Sequence, residues 1–133
     1  MKPSLTWFIN KAPVYNESYV GSFESTEAFE VELEVVNNFL GIEPVDEIKN
    51  GKLIIEFKDY EDSVLLQALQ VMFDKSYTAS TEIVGNRAYI KIPRVISGDY
   101  SSPESCTLHI KLTFNQAINV KDDLKQLIVD ILY

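Results

Sequence analysis

Residues 29–41 read FEVELEVVNNFLG, and the fold expected of the whole chain turns on how this stretch is taken. As a strand, Phe29, Val31, Leu33 and Val35 face a core while Glu30, Glu32 and Glu34 form an outward row, the alternation of a half-solvated antiparallel strand. As a helix, Phe29, Leu33, Val36 and Leu40 fall at i, i+4, i+7 and i+11, with Glu27, Glu30 and Glu34 on a neighbouring face. Both periods fit. The ends favour the helix: Ser25 or Thr26 can cap it, Glu27 suits the positive end of its dipole, and Gly41 stands where a left-handed terminator is expected. Repulsion between Glu30 and Glu34 at i, i+4 opposes it by roughly a few tenths of a kcal/mol. In either reading the glutamates point to water.

Towards the N-terminus, residues 4–10, SLTWFIN, suit a strand, and 19–23 is open between loop and edge strand. Towards the C-terminus, Lys49-Asn50-Gly51-Lys52 signals a tight turn before a strand at 53–58, LIIEFK, which a short arm at 45–48 could join. A helix is expected from Asp59 or Asp62 to about Lys75. Its segment 64–73, VLLQALQVMF, is uncharged, and a helix apolar nearly all round is buried or covered by a partner. Gly85-Asn86, between strands at 81–84 and 87–93, reads as a two-residue hairpin loop. Residues 94–105 form a long loop, and 106–114, CTLHIKLTF, a strand with Cys106, Leu108, Ile110, Leu112 and Phe114 inward. Asn119 caps a last helix, in which Val120, Leu124, Leu127, Ile128, Ile131 and Leu132 share a stripe behind Asp122 and Asp123. The order β-α-β-α-β-β-β-α implies an α+β two-layer domain, with about three helices on one face of a mostly antiparallel sheet.

The 133 residues have the length of a single globular domain (1–133), and 46% hydrophobic content without repeats or low-complexity tracts suits one core. The lone Cys106 cannot form an internal disulfide, and the start MKPSLTWFIN has too short an apolar run for a signal peptide. No run approaches the roughly 18 apolar residues of a membrane span. The expected compartment is the cytoplasm, and Asn16-Glu17-Ser18 reads as an ordinary loop. Of the net charge of −8, residues 24–62 hold twelve acidic against three basic side chains, or −9, leaving nine basic against eight acidic, or +1, for the rest. Such asymmetry speaks to partners rather than to fold.

Catalytic and metal chemistry find little footing. A zinc site needs several ligands at motif spacing, and there is one histidine and one cysteine. Cys106 and His109, three apart on a strand, project to opposite faces, which also removes a cysteine–histidine catalytic pair. The glycines, at 21, 41, 51, 85 and 98, fit no phosphate-binding spacing. Carboxylate pairs such as Glu61-Asp62 and Asp46-Glu47 lie near turns and read as solvated surface. No catalytic residue, metal ligand or cofactor is expected.

Two surfaces remain. Carboxylates on a rigid element can imitate the phosphates of a nucleic acid and fill a positive groove in a basic partner; the residues suited to this are Glu27, Glu30, Glu34, Asp46 and Glu47. If the strands holding them are neighbours, Arg87, Tyr89, Lys91, His109 and Lys111 would instead form a cationic sheet face with a stacking ring, able to take single-stranded nucleic acid. A net charge of −8 works against that second use. The expected protein is a non-enzymatic protein-binding domain, an inhibitor or adaptor of a virus or mobile genetic element, using an acidic surface against a basic partner. Self-assembly through the apolar helix at 64–73 is the alternative.

Overall fold

The computed structural model describes residues 2–14, 19–24, 29–58, 64–67, 69–77, 81–114 and 124–133. These form eleven strands: β1 (Leu5–Ile9), β2 (Ala12–Val14), β3 (Tyr19–Glu24), β4 (Phe29–Asn37), β5 (Lys52–Lys58), β6 (Leu69–Phe73), β7 (Ser76–Tyr77), β8 (Glu82–Val84), β9 (Arg87–Lys91), β10 (Thr107–Phe114) and β11 (Leu124–Leu132). Two four-residue helical turns, α1 (Val64–Gln67) and α2 (Pro103–Cys106), are the only helices among the described residues.

The stretch at 29–37 is a strand, which corrects the helix favoured by its ends. Val31, Leu33 and Val35 are buried while Glu30 and Glu32 are exposed, so the period of two prevails. The punctuation was real but belongs to a loop: Asn38 and Gly41 both take left-handed backbone, at φ +62° and +65°. Such residues end a helix or turn a chain after a strand with equal ease. The proposed caps Ser25, Thr26 and Glu27 lie outside the described residues.

The second expected helix is also corrected. Only Val64–Gln67 is helical, and Leu69–Phe73 is a strand whose Leu69, Val71 and Phe73 are buried and Gln70 exposed. A short apolar run carries no period that separates a buried strand from a helix. Asp59 and Asp62 lie outside the described residues. The third helix gives way to β11, where Val129 and Ile131 are buried and Asp130 exposed; Asn119 and the aspartates after it are likewise outside the described residues. β11 lies between β3 and β5, inside a sheet whose pairing supplies its backbone hydrogen bonds.

Rather than an α+β domain with helices on one face, the described residues make two antiparallel sheets, in the orders β2-β1-β4-β10-β6-β7 and β3-β11-β5-β9-β8. One cluster of buried side chains draws on both, with Trp7, Leu33, Phe73, Leu108 and Phe114 from the first and Leu53, Ile55, Ile90 and Val129 from the second. This is a β-sandwich. Burying each such side chain contributes about 1.5–3 kcal/mol, so the interior between the sheets dominates stability. Leu66, in the segment expected as a partner-seeking helix, belongs to that interior, and the continuous apolar helix at 64–73 on which the expected self-assembly rests is not formed.

Turn chemistry closes the hairpins. The β8–β9 loop is Gly85-Asn86, as its sequence indicates, with Gly85 at φ +60°. The β1–β2 and β6–β7 hairpins turn at Asn10-Lys11 and Asp74-Lys75, and in each both residues are left-handed, at φ 49° and 70°. The two hairpins flank the central pair β4 and β10 in matching register, Ile9 against Leu33 on one side and Phe73 against Ile110 on the other. That register lays the outward residues of β4 beside those of β10.

Candidate binding surfaces

The outer face of the six-stranded sheet gathers Glu30, Glu32 and Glu34 from β4 and Thr107, His109, Lys111 and Thr113 from β10. His109 stands opposite Glu34, with Nδ1 3.6 Å from Oε1, and Lys111 opposite Glu32, its Nζ 3.3 Å from the diagonal Glu30 Oε2. The acidic row and part of the expected cationic face are thus cross-strand partners. Glu30 and Glu34 each have a cross-strand partner in the same sheet.

The remaining expected residues lie elsewhere. Arg87, Tyr89 and Lys91 sit on β9, in the other sheet, so the five residues of the nucleic-acid face are not neighbours. There Arg87 Nε donates to Glu56 Oε2 at 3.3 Å. Of the five acidic residues, Glu30 and Glu34 share the β4 face, Asp46 and Glu47 belong to the loop after β4, and Glu27 is outside the described residues. The described part of the acidic third of the sequence spreads over both outer faces and a loop, because β4 and β5 belong to different sheets.

A concavity of about 910 Å³ lies on the six-stranded face, within the range of ligand pockets. Glu32, Glu34, His109 and Lys111 form its floor, and the turns Asn10-Lys11 and Asp74-Lys75, with Arg94 and Glu104, contribute its walls. Lys11, Lys75, Arg94 and Lys111 balance Glu32, Glu34, Asp74 and Glu104, so the lining is neutral with His109 uncharged. Arg94 is fully engaged: Nε donates to Asp74 Oδ2 at 2.7 Å, Nη1 to the carbonyls of Val95 and Ser105, and Nη2 to Asp74 Oδ1 and the Thr107 carbonyl. All five of its N–H groups are taken, which makes it a staple for the 94–107 segment rather than an anion hook. Burial alone would raise the Asp74 carboxyl, but the Arg94 hydrogen bond, the His109 N–H and the nearby positive charge outweigh it and hold the pKa below the usual carboxylate value.

The loop after β4 is built differently. Asn37 and Asn38 are the buried polar side chains of the described core. Asn37 Oδ1 accepts from Ser4 N at 2.9 Å, while its Nδ2 donates to the carbonyls of Asp46 at 2.9 Å and Ser97 at 3.2 Å. Asn38 Nδ2 donates to the carbonyls of Glu43 and Gly98, both at 2.9 Å. Two carboxamides therefore clasp the loop to the N-terminal segment and to residues 97–98. Gly98 completes the fit, since a Cβ there would stand 1.9 Å from the Val45 carbonyl oxygen.

This fixed loop turns its apolar side chains outward. Leu40 is 80% and Ile42 83% exposed, and Phe39, 43% exposed, rests edge-on against Phe8 and Tyr100 with ring centroids 5.2 and 6.4 Å apart. Glu43, Asp46 and Glu47 follow, all exposed. Sequence reasoning named Asp46 and Glu47 but passed over Phe39, Leu40, Ile42 and the two asparagines, having absorbed them into a helix end. Their signal was the left-handed pair Asn38 and Gly41 around an apolar dipeptide.

Among the described residues no three His, Cys, Asp or Glu side chains group as metal ligands, and no helix is long and apolar enough to cross a membrane. Cys106 is a free, buried thiol at the end of α2, with Sγ 3.2 Å from the Asp99 carbonyl oxygen, and His109 faces outward. The class defined by these features is a two-sheet antiparallel β-sandwich with a clasped, apolar-tipped loop. Against known protein families, curated proteins and solved structures, the chain has no match.

Proposed function

We propose that the chain is a non-enzymatic protein-binding domain of the cytoplasm, an adaptor or inhibitor that engages its partner through the loop at residues 38–47. The observation that carries this reading is the near-complete exposure of Leu40 and Ile42 on a loop fixed by buried carboxamides. A folded chain gains nothing internally from holding two large aliphatic side chains in water. A partner that covers them gains their burial without first ordering the loop. Glu43, Asp46 and Glu47, which follow the tip and are exposed, suit a partner whose apolar socket has a basic rim.

The test is affinity capture from a nuclease-treated lysate, with the natural chain and a Leu40→Ser/Ile42→Ser variant as parallel baits. A protein retained by the first and lost from the second supports the reading. Identical captured sets from both baits, or retention that depends only on the β4 glutamates, would overturn it.

A further inference from the structure

The other sheet offers a surface complementary to this loop. On its outer face one transverse row consists of Leu132, Lys52 and Lys91, with Lys52 directly opposite Lys91 and Leu132 directly opposite Lys52. All three are exposed, and among the described residues neither lysine forms an ion pair. Like charges facing one another across two strands destabilise the pair unless an anion joins them. The row also carries a half-exposed aliphatic side chain beside the two cations.

The loop that carries the tip leaves β4 at Asn37, which bonds the Asp46 and Ser97 carbonyls, and ends at Lys52, the first residue of β5, so its two ends lie at the same end of the sandwich. The Gly51 carbonyl accepts from Ile92 N, the residue after Lys91, which ties the end of the loop to the end of β9. We propose that two copies of the chain associate about a twofold axis at this end. The Leu40–Ile42 tip and the Glu43/Glu47 carboxylates of each copy dock on the Leu132–Lys52–Lys91 row of the other. The proposal rests on the loop being a contact surface and names a second copy as what covers it. Charge complementarity selects that occupant: the tip is acidic and apolar, the row basic and apolar, and an isologous pair uses both patches of both chains. The net charge of −8 repels copies at long range, so the association belongs to physiological ionic strength, where the screening length is about 8 Å.

The test is sedimentation velocity at about 0.15 M salt over a concentration series extending to high micromolar, on the natural chain, a Lys52→Glu/Lys91→Glu variant and a Glu43→Lys/Glu47→Lys variant, with circular dichroism checking that each is folded. The expected result is a dimer for the natural chain, a monomer for each variant alone, and a one-to-one dimer when the variants are mixed, since each then meets its complement. A monomeric natural chain overturns the proposal, as does a dimer that the reversals leave intact or that mixing fails to restore. A monomeric natural chain that still captures a different protein through Leu40 and Ile42 separates failure of this inference from failure of the protein-binding reading.

Discussion

The outer face of the six-stranded sheet and the loop at residues 38–47 are opposite solutions to placing side chains in water. On the sheet the charges answer one another: Glu34 has His109 beside it, Glu30 has Lys111, and Asp74 has Arg94. On the loop the two carboxamides are buried and satisfied while Leu40 and Ile42 stand outside. The face that looked most like a binding surface in the sequence meets much of its charge with cross-strand partners of its own. The unsatisfied surface is the one whose residues looked like ordinary punctuation.

Breaking the clasp gives the largest expected effect. Asn37→Ala removes three hydrogen bonds made by a fully buried side chain, to the Ser4 amide and to the Asp46 and Ser97 carbonyls, and should cost about 2–4 kcal/mol in urea unfolding. A loss under about 0.5 kcal/mol would mean that the loop is not held as described. Gly98→Ala comes next, at about 1–3 kcal/mol, because its methyl group must push the Val45 carbonyl away. Hydrogen exchange of the Val45 amide, which donates to the Gly98 carbonyl, should speed up in that variant while the β5 amides keep their protection.

Smaller effects sharpen the contrast from the sheet side. Arg94→Ala removes the staple between the β6–β7 turn and the 94–107 segment, and about 1–2 kcal/mol should go with it at neutral pH. Because the folded Asp74 pKa is depressed, its share of this stability is complete above the unfolded carboxylate value near 4 and is lost as pH falls through the lower folded value. The gap between natural and Arg94→Ala proteins should therefore narrow between neutral pH and about pH 3, and a widening gap would contradict the assigned pairing. Lys111→Ala, at the exposed pair with Glu30, should change stability by no more than about 0.5 kcal/mol. The Leu40→Ser/Ile42→Ser change should likewise stay within about 0.5 kcal/mol, since neither side chain belongs to the core.

What was legible in the sequence was local. The Gly85-Asn86 hairpin, the strand at 53–58 and the inward set Leu108, Ile110, Leu112 and Phe114 all stand in the structure. The residues 19–23 left open are strand β3. The errors share one cause: at 29–40, 64–73 and 120–132 apolar residues satisfy a helical stripe and a strand alternation together, and only pairing with distant strands decides between them. β4 is decided by β10, some 77 residues away at Leu33 and Ile110, and β11 by β3 and β5. The same non-local pairing explains the site. That Lys111 sits beside Glu30, or that Asn37 reaches Ser97, is a consequence of topology, and neither residue's neighbours in sequence announce it.

The most direct test is site-specific photo-crosslinking in a lysate, with a benzophenone amino acid placed at position 40 and, in a separate chain, at position 111. A covalent adduct should form from position 40 and not from position 111, whether the partner is another protein or a second copy, which the mass of the adduct distinguishes. An adduct from position 111 with none from position 40 would contradict the assignment and return the working surface to the charged sheet face.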